Sequence, residues 1–200
     1  MLVKKILVLV MMVVSVLING CATKVERIDA KEVRDLSGAW NDTDSRLVSE
    51  EMIRDVLSRG WLRSHTRKFR KQPTVIVGEV RNLSDEHISV ETFVADMERA
   101  LINSGKVEFV ASSGERGEIR EERRQQDIHA REDTRKPMGQ EIGADYMLKG
   151  SIKTIIDVAN RKQVRFYQID LTLISIADNR KIWMGQKKIK KYIKRPRFRY

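Results

Sequence analysis

The sequence has a single cysteine, Cys21, so no disulfide can form within the chain and no thiolate cluster can hold a metal. Its three histidines, His65, His87 and His129, lie in separate polar segments, and no two have a metal-ligand spacing. There is no G-x-S-x-G elbow, no glycine loop of the phosphate-cradling kind and no H-E-x-x-H motif. Carboxylates are plentiful, but they fall in charged segments where solvation is their ordinary role. These absences point away from an enzyme and call for no cofactor and no metal. Proline is also scarce: Pro73, Pro137 and Pro196 are the only three, so no segment reads as a proline-rich spacer. The one long apolar run, Ile6 to Ile18, is shorter than the roughly 20 residues a helix needs to cross a bilayer.

That run has another use. Lys4 and Lys5 precede it, and Leu17-Ile18-Asn19-Gly20-Cys21 follows, with a small residue immediately before the cysteine. A charged start, a short apolar stretch and a small-residue cleavage site describe a secretory signal. The order of residues resembles a bacterial lipobox, which implies cleavage after Gly20 and acylation of Cys21. Two or more acyl chains anchor stably, because each buried CH₂ contributes about 0.8 kcal/mol. Ala22-Thr23 lacks the aspartate that resembles an inner-membrane retention signal, so the implied address is the periplasmic face of the outer membrane. Residues 1–20 are then a signal peptide, and residues 21–34 a polar, lipidated tether whose reach is at most about 50 Å. Residues 35–194 form one α+β domain, and residues 195–200 a basic tail.

Basic residues outnumber acidic ones, 39 to 28, for a formal charge of +11. Such an excess favours acidic surfaces: anionic lipid, anionic wall polymer or an acidic protein. An exported protein rarely meets nucleic acid, so that partner is not expected.

Within the domain, the apolar spacing of Val48, Met52, Ile53, Val56 and Leu57 predicts a helix from Asp44 to Ser58, capped by Asp44. Residues 62–72 read as a basic loop. Residues 73–80 are rich in β-branched side chains and predict a strand, followed by a turn at Asn82-Leu83-Ser84-Asp85. Phe93, Val94, Met97, Ala100 and Leu101 predict a helix over 90–103, ended by Gly105. A short strand over 107–110 and a solvated helix over 115–133 follow. Pro137 suits the start of another short helix, closed by Gly143. Three alternating strands complete the chain, with turns at Ala159-Asn160-Arg161-Lys162 and Ala177-Asp178-Asn179-Arg180. The expected architecture is a mixed sheet of about five strands, partly antiparallel, with helices packed against it.

Two segments stand out as candidate binding surfaces. From Asn179 to Tyr200 there are ten basic residues and no acidic one. Alternation puts Lys188, Lys190 and Tyr192 on one face of the last strand, and Ile189, Lys191 and Ile193 on the other. These lysines suit anionic lipid, wall polymer or an acidic partner; they equally suit the protection of an exposed sheet edge. The other segment holds Trp40, Asp42 and Arg46. A tryptophan in a polar turn can anchor an interface, or it can tuck onto the sheet while Asp44 caps a helix.

Several separated blocks are distinctive in order: Asp35-Leu36-Ser37-Gly38-Ala39-Trp40-Asn41-Asp42-Thr43-Asp44-Ser45-Arg46, Val77-Gly78-Glu79-Val80-Arg81-Asn82, Asp96-Met97-Glu98-Arg99-Ala100-Leu101 and Gly143-Ala144-Asp145-Tyr146-Met147-Leu148. Together they resemble the LpoB family of outer-membrane lipoprotein activators of penicillin-binding proteins, over about residues 25–193. The resemblance implies a fold similar to the amino-terminal domain of TolB. It implies a non-catalytic protein that binds a class A penicillin-binding protein, a bifunctional peptidoglycan synthase, and stimulates it. A second implication of such a fold is an oligomeric structural part of an envelope or secretion assembly.

Overall fold

A computed structural model describes Lys4, residues 24–139 and residues 141–194. Cys21, most of the expected signal peptide and the basic tail lie outside the described residues. The chain divides into two compact units, 1–33 and 34–200. In the first, residues 24–33 contain no helix or strand, and the Glu32 amide donates to the Asp29 carbonyl at 3.0 Å.

The second unit carries four helices and five strands in the order α1 (Asp42–Ser58), α2 (Trp61–Phe69), β1 (Thr74–Leu83), α3 (Val90–Asn103), β2 (Glu108–Phe109), α4 (Ser113–His129), β3 (Tyr146–Ala159), β4 (Lys162–Ser175) and β5 (Lys181–Lys194). The strands form one sheet in the order β2-β1-β3-β4-β5. β1 runs parallel to both β2 and β3. β3, β4 and β5 are antiparallel neighbours. The protein is therefore an α+β domain on a mixed five-stranded sheet, as its alternating and helical periods predict.

One face of the sheet is dry. Tyr146, Leu148 and Ile152 of β3, Tyr167, Ile169, Leu171 and Leu173 of β4 and Trp183 of β5 are buried on it. They pack in one cluster with Val48, Met52 and Val56 of α1 and Phe93, Met97 and Leu101 of α3. The period of two in the strands and of 3.6 in the helices thus meet in a single core. Gly150 and Gly185 allow that close packing. A Cβ on Gly150 would stand 2.5 Å from the Asp170 carbonyl oxygen, and one on Gly185 would stand 2.8 Å from Met52 Sδ.

Four expectations need correction. The cap of α1 is Asn41, not Asp44. The Asn41 side chain accepts from the Asp44 amide at 3.1 Å, and the Asp44 carboxylate accepts from the Asn41 amide at 3.0 Å. This is a capping box, with Asp44 at its third helical position. The basic stretch 62–72 is not all loop. Trp61, Leu62 and His65 share a buried face of α2, which Arg and Lys on the other side obscure in the sequence. No helix starts at Pro137: Gly139 has φ of 83°, which no right-handed helix accepts, and Met138 and Ile142 are exposed and offer no face to bury. β1 continues past Val80 to Leu83, because a register shift between Val77 and Val80 restores its pairing with β3.

Candidate docking surface

β5 is an edge strand, and its alternation splits the basic C-terminal segment between two environments. Lys188, Lys190 and Tyr192 point to the face that carries no core cluster, and all three are exposed. Lys191 points the other way. Its ammonium lies 2.6 Å from the Asp44 carboxylate and 3.1 Å from that of Asp35, and it donates to the Ala39 carbonyl at 3.0 Å. The Lys191 side chain is only 13 % exposed and that of Asp44 only 4 %. The hydrogen bond from Lys191, helped by one from Asn41, holds the Asp35 carboxyl below the usual aspartate range. Lys191 is thus a strut between β5, the start of α1 and the chain entering it.

Trp40 also turns inward. Its ring meets Tyr167 edge-on at 5.4 Å, and its indole N–H donates to Ser45 Oγ at 2.9 Å. Its amide donates to Glu86, which also accepts from the Tyr167 hydroxyl and from Arg165, each at 2.6 Å. Burial first, and then the bond to Glu86, raise the Tyr167 hydroxyl above the usual tyrosine range. Asp42 is exposed in the first turn of α1. Arg46, half-buried one turn later, pairs with Glu50 at 3.3 Å. The seven candidates therefore do not form one surface. Lys188, Lys190 and Tyr192 share a face, Asp42 and Arg46 lie on α1, and Trp40 and Lys191 hold the α1 entry to the sheet.

Around Tyr192 the sheet register builds a patch. Ile155, Phe166 and Lys190 stand side by side across β3, β4 and β5, as do Asp157, Val164 and Tyr192 in the next row. Neighbouring strands lie about 4.8 Å apart, so side chains within a row touch or nearly touch. Ile155 is 67 % exposed and Tyr192 61 %. On the other side of the Lys190 row, Lys153, Gln168 and Lys188 form a polar row. Lys153 reaches Asp170 at 3.5 Å, and Gln168 and Gln186 each donate to the same carboxylate at 2.8 Å. Burial pushes the Asp170 carboxyl up, but these donors outweigh it and bring it below the ordinary value. Lys188 and Lys190 have no ion-pair partner among the described residues. An apolar centre flanked by unpaired ammonium groups suits an acidic surface with an apolar middle. Ile155 and Phe166 were not among the candidates. Their signal is present, since each is an apolar residue on the strand phase that also carries Lys153 and Asp157 in β3 or Gln168 and Asp170 in β4.

Among the described residues, no group of three His, Asp or Glu side chains is placed to hold a metal ion, and no helix is long and apolar enough to cross a membrane.

Residues 44–189 match the family of the peptidoglycan-synthase activator LpoB. That span is most of the chain, and the protein belongs to this family. Among solved structures, the C-terminal domain of LpoB from Escherichia coli is similar at 14 % identity and TM-score 0.35, covering 66 % of this chain and 100 % of that one. The corresponding Salmonella enterica domain gives 13 % identity and TM-score 0.35 over 66 % and 93 %. A lipoprotein of Neisseria meningitidis gives 16 % identity and TM-score 0.38 over 60 % and 83 %. No curated protein matches the chain.

Proposed function

We propose that this protein is a lipoprotein of the outer membrane, acylated on Cys21, whose domain binds a class A penicillin-binding protein and raises its glycan polymerisation and peptide cross-linking without performing chemistry itself. The observation that carries the reading is the match of residues 44–189 to the family of peptidoglycan-synthase activators. The docking face in this reading is the patch of Ile155, Phe166 and Tyr192 with Lys188 and Lys190. Its apolar centre supplies burial, and its lysines supply orientation and a fast, salt-sensitive encounter with an acidic face of the synthase. Trp40 and Lys191 support that face from behind. Residues 35–194 are the binding domain, and residues 21–34 are its tether.

The test uses a purified class A synthase from the same cell with the full chain in detergent. Binding is measured at low and moderate salt, and glycan polymerisation is followed alongside. The expected result is binding that weakens with salt, a faster synthase, and loss of about tenfold in affinity in a Lys188→Glu, Lys190→Glu double variant. A synthase that neither binds nor accelerates would overturn the activator reading; self-association without binding would replace it with an assembly component. Cys21→Ala should move the protein out of the outer-membrane fraction, and unchanged fractionation would sink the anchor.

A further inference from the structure

Basic side chains also line a groove away from β5. An open groove of about 870 Å³ lies between the end of α1, the outer side of α2 and the turn at Gly105-Lys106. Leu57 and Leu62 form its apolar lining, and Arg63, Arg67 and Arg70 line it with Lys106. No acidic side chain lines it. Its volume falls within the roughly 300–1,000 Å³ of ordinary ligand sites. Arg63, Arg67 and Arg70 have no ion-pair partner among the described residues, although the chain carries 28 acidic residues that could have supplied one.

A second observation comes from the backbone. Arg70 follows α2 with φ of 56° and ψ of 24°, in the left-handed region. Its amide closes the helix on the Thr66 carbonyl at 2.9 Å. Glycine is the usual residue at such a helix end, because a Cβ there is strained. An arginine in that position places a guanidinium at the rim of the groove at a conformational cost that glycine would avoid. Strain of this kind is often kept where a side chain serves a site.

We propose that this groove binds an extended acidic peptide, with acidic side chains at alternate positions and apolar ones between or beside them. The spacing fits. Arg63 and Arg67 lie about 6 Å apart along the axis of α2, at about 1.5 Å per residue. Alternate side chains of an extended strand repeat every 6.4–6.8 Å or so. Successive carboxylates of the peptide thus meet successive arginines, each able to pair in the two-pronged fashion that suits guanidinium and carboxylate. The leucine lining takes the apolar side chains, a component that a phosphate polymer lacks. A concave groove suits a single chain better than the plane of a membrane. The groove lies where β1 and β3 begin, whereas the Tyr192 patch lies where β3 ends and β4 begins. The two surfaces therefore serve separate ligands, and this inference holds whichever enzyme the patch serves.

The test uses the full chain in detergent and a fluorescent peptide of alternating Glu and Val, compared with its Gln-for-Glu counterpart, with inorganic polyphosphate and with phosphatidylglycerol vesicles. The acidic peptide should bind and the Gln peptide should not. A Arg63→Glu, Arg67→Glu variant should lose about tenfold or more in affinity at unchanged thermal midpoint. Arg70→Gly should bind several-fold more weakly while its thermal midpoint stays the same or rises. That opposed pair of effects separates a ligand-binding arginine from a merely structural one. No binding at about millimolar peptide, equal binding of the Gln peptide, or full affinity in the arginine variants would overturn the proposal. Preference for polyphosphate or vesicles over the peptide would overturn it too.

Discussion

Lys191 shows how much one side chain changes the reading of a basic strand. Its neighbours Lys188 and Lys190 are solvated, while Lys191 is enclosed by Asp44, Asp35 and the Ala39 carbonyl. Lys191→Met would leave the buried Asp44 carboxylate without its cation, and breaking such a pair costs about 3 kcal/mol. Chemical denaturation should show this loss, and the double variant with Asp44→Asn should recover part of it; a Lys191→Met midpoint equal to wild type would mean the strut is idle. The sequence showed the alternation of β5 but not which phase would find carboxylates, since Asp35 and Asp44 lie some 150 residues away. His65 was equally opaque in a run of Arg and Lys. It is buried, with Nδ1 2.8 Å from the Tyr146 hydroxyl, and Nε2 makes no hydrogen bond. Burial lowers its pKa, partly opposed by Asp145. Stability from neutral His65 is therefore whole above the unfolded value of about 6.5 and declines as pH falls below it. Glu98, raised by burial and by Glu115, acts with the opposite sign. Denaturant midpoints measured between about pH 7 and pH 5 should fall less steeply in His65→Gln than in wild type, and parallel profiles would refute the assignment.

Elements with a full apolar period were legible, and short ones were not. α3 lies at 90–103 as its five apolar positions require, and the strands β3, β4 and β5 follow their alternation. α4 carries no buried residue and is still a helix, held by Ser112 and Glu115 in a capping box and by pairs such as Arg124 with Glu121. α2 escaped because nine residues offer only two turns of pattern, and its stability comes from Trp61 and His65 packing on Tyr146. Caps depend on geometry that side-chain type alone leaves ambiguous: Asn41, Asp42, Thr43 and Asp44 are all competent residues. The box assigns the role to Asn41, so Asn41→Ala should cost about 1 kcal/mol, read as a lower thermal midpoint. An unchanged midpoint would show that Asp42 or Thr43 takes over the role. The proposed docking patch was legible by halves for a similar reason: β5 gave its lysines and Tyr192, but its apolar centre came from Ile155 and Phe166 on two other strands.

At the scale of the molecule, the sheet explains why a basic chain keeps two separate faces. The core cluster holds α1, α2 and α3 on one side of the sheet, and the long antiparallel ladder of β3, β4 and β5 exposes Lys188, Lys190 and Tyr192 on the other. The buried core and the exposed patch thereby occupy opposite phases of the same strands. The contact between Asp35 and Lys191 also has a topological meaning. It brings the start of the domain within an ion pair of its last strand, so the backbone from 35 to 194 is close to a closed ring. A ring has no necessary beginning. Joining residue 194 to residue 35 through about six Gly and Ser residues, and opening the chain in the exposed turn between Asp133 and Lys136, should give a circular permutant with the same far-ultraviolet dichroism and one cooperative melting transition. Loss of that transition would mean that the order of synthesis matters to the fold; its survival would make the point of attachment movable, so that a tether joined to the domain could enter at the α4–β3 segment instead of at the edge of the sheet.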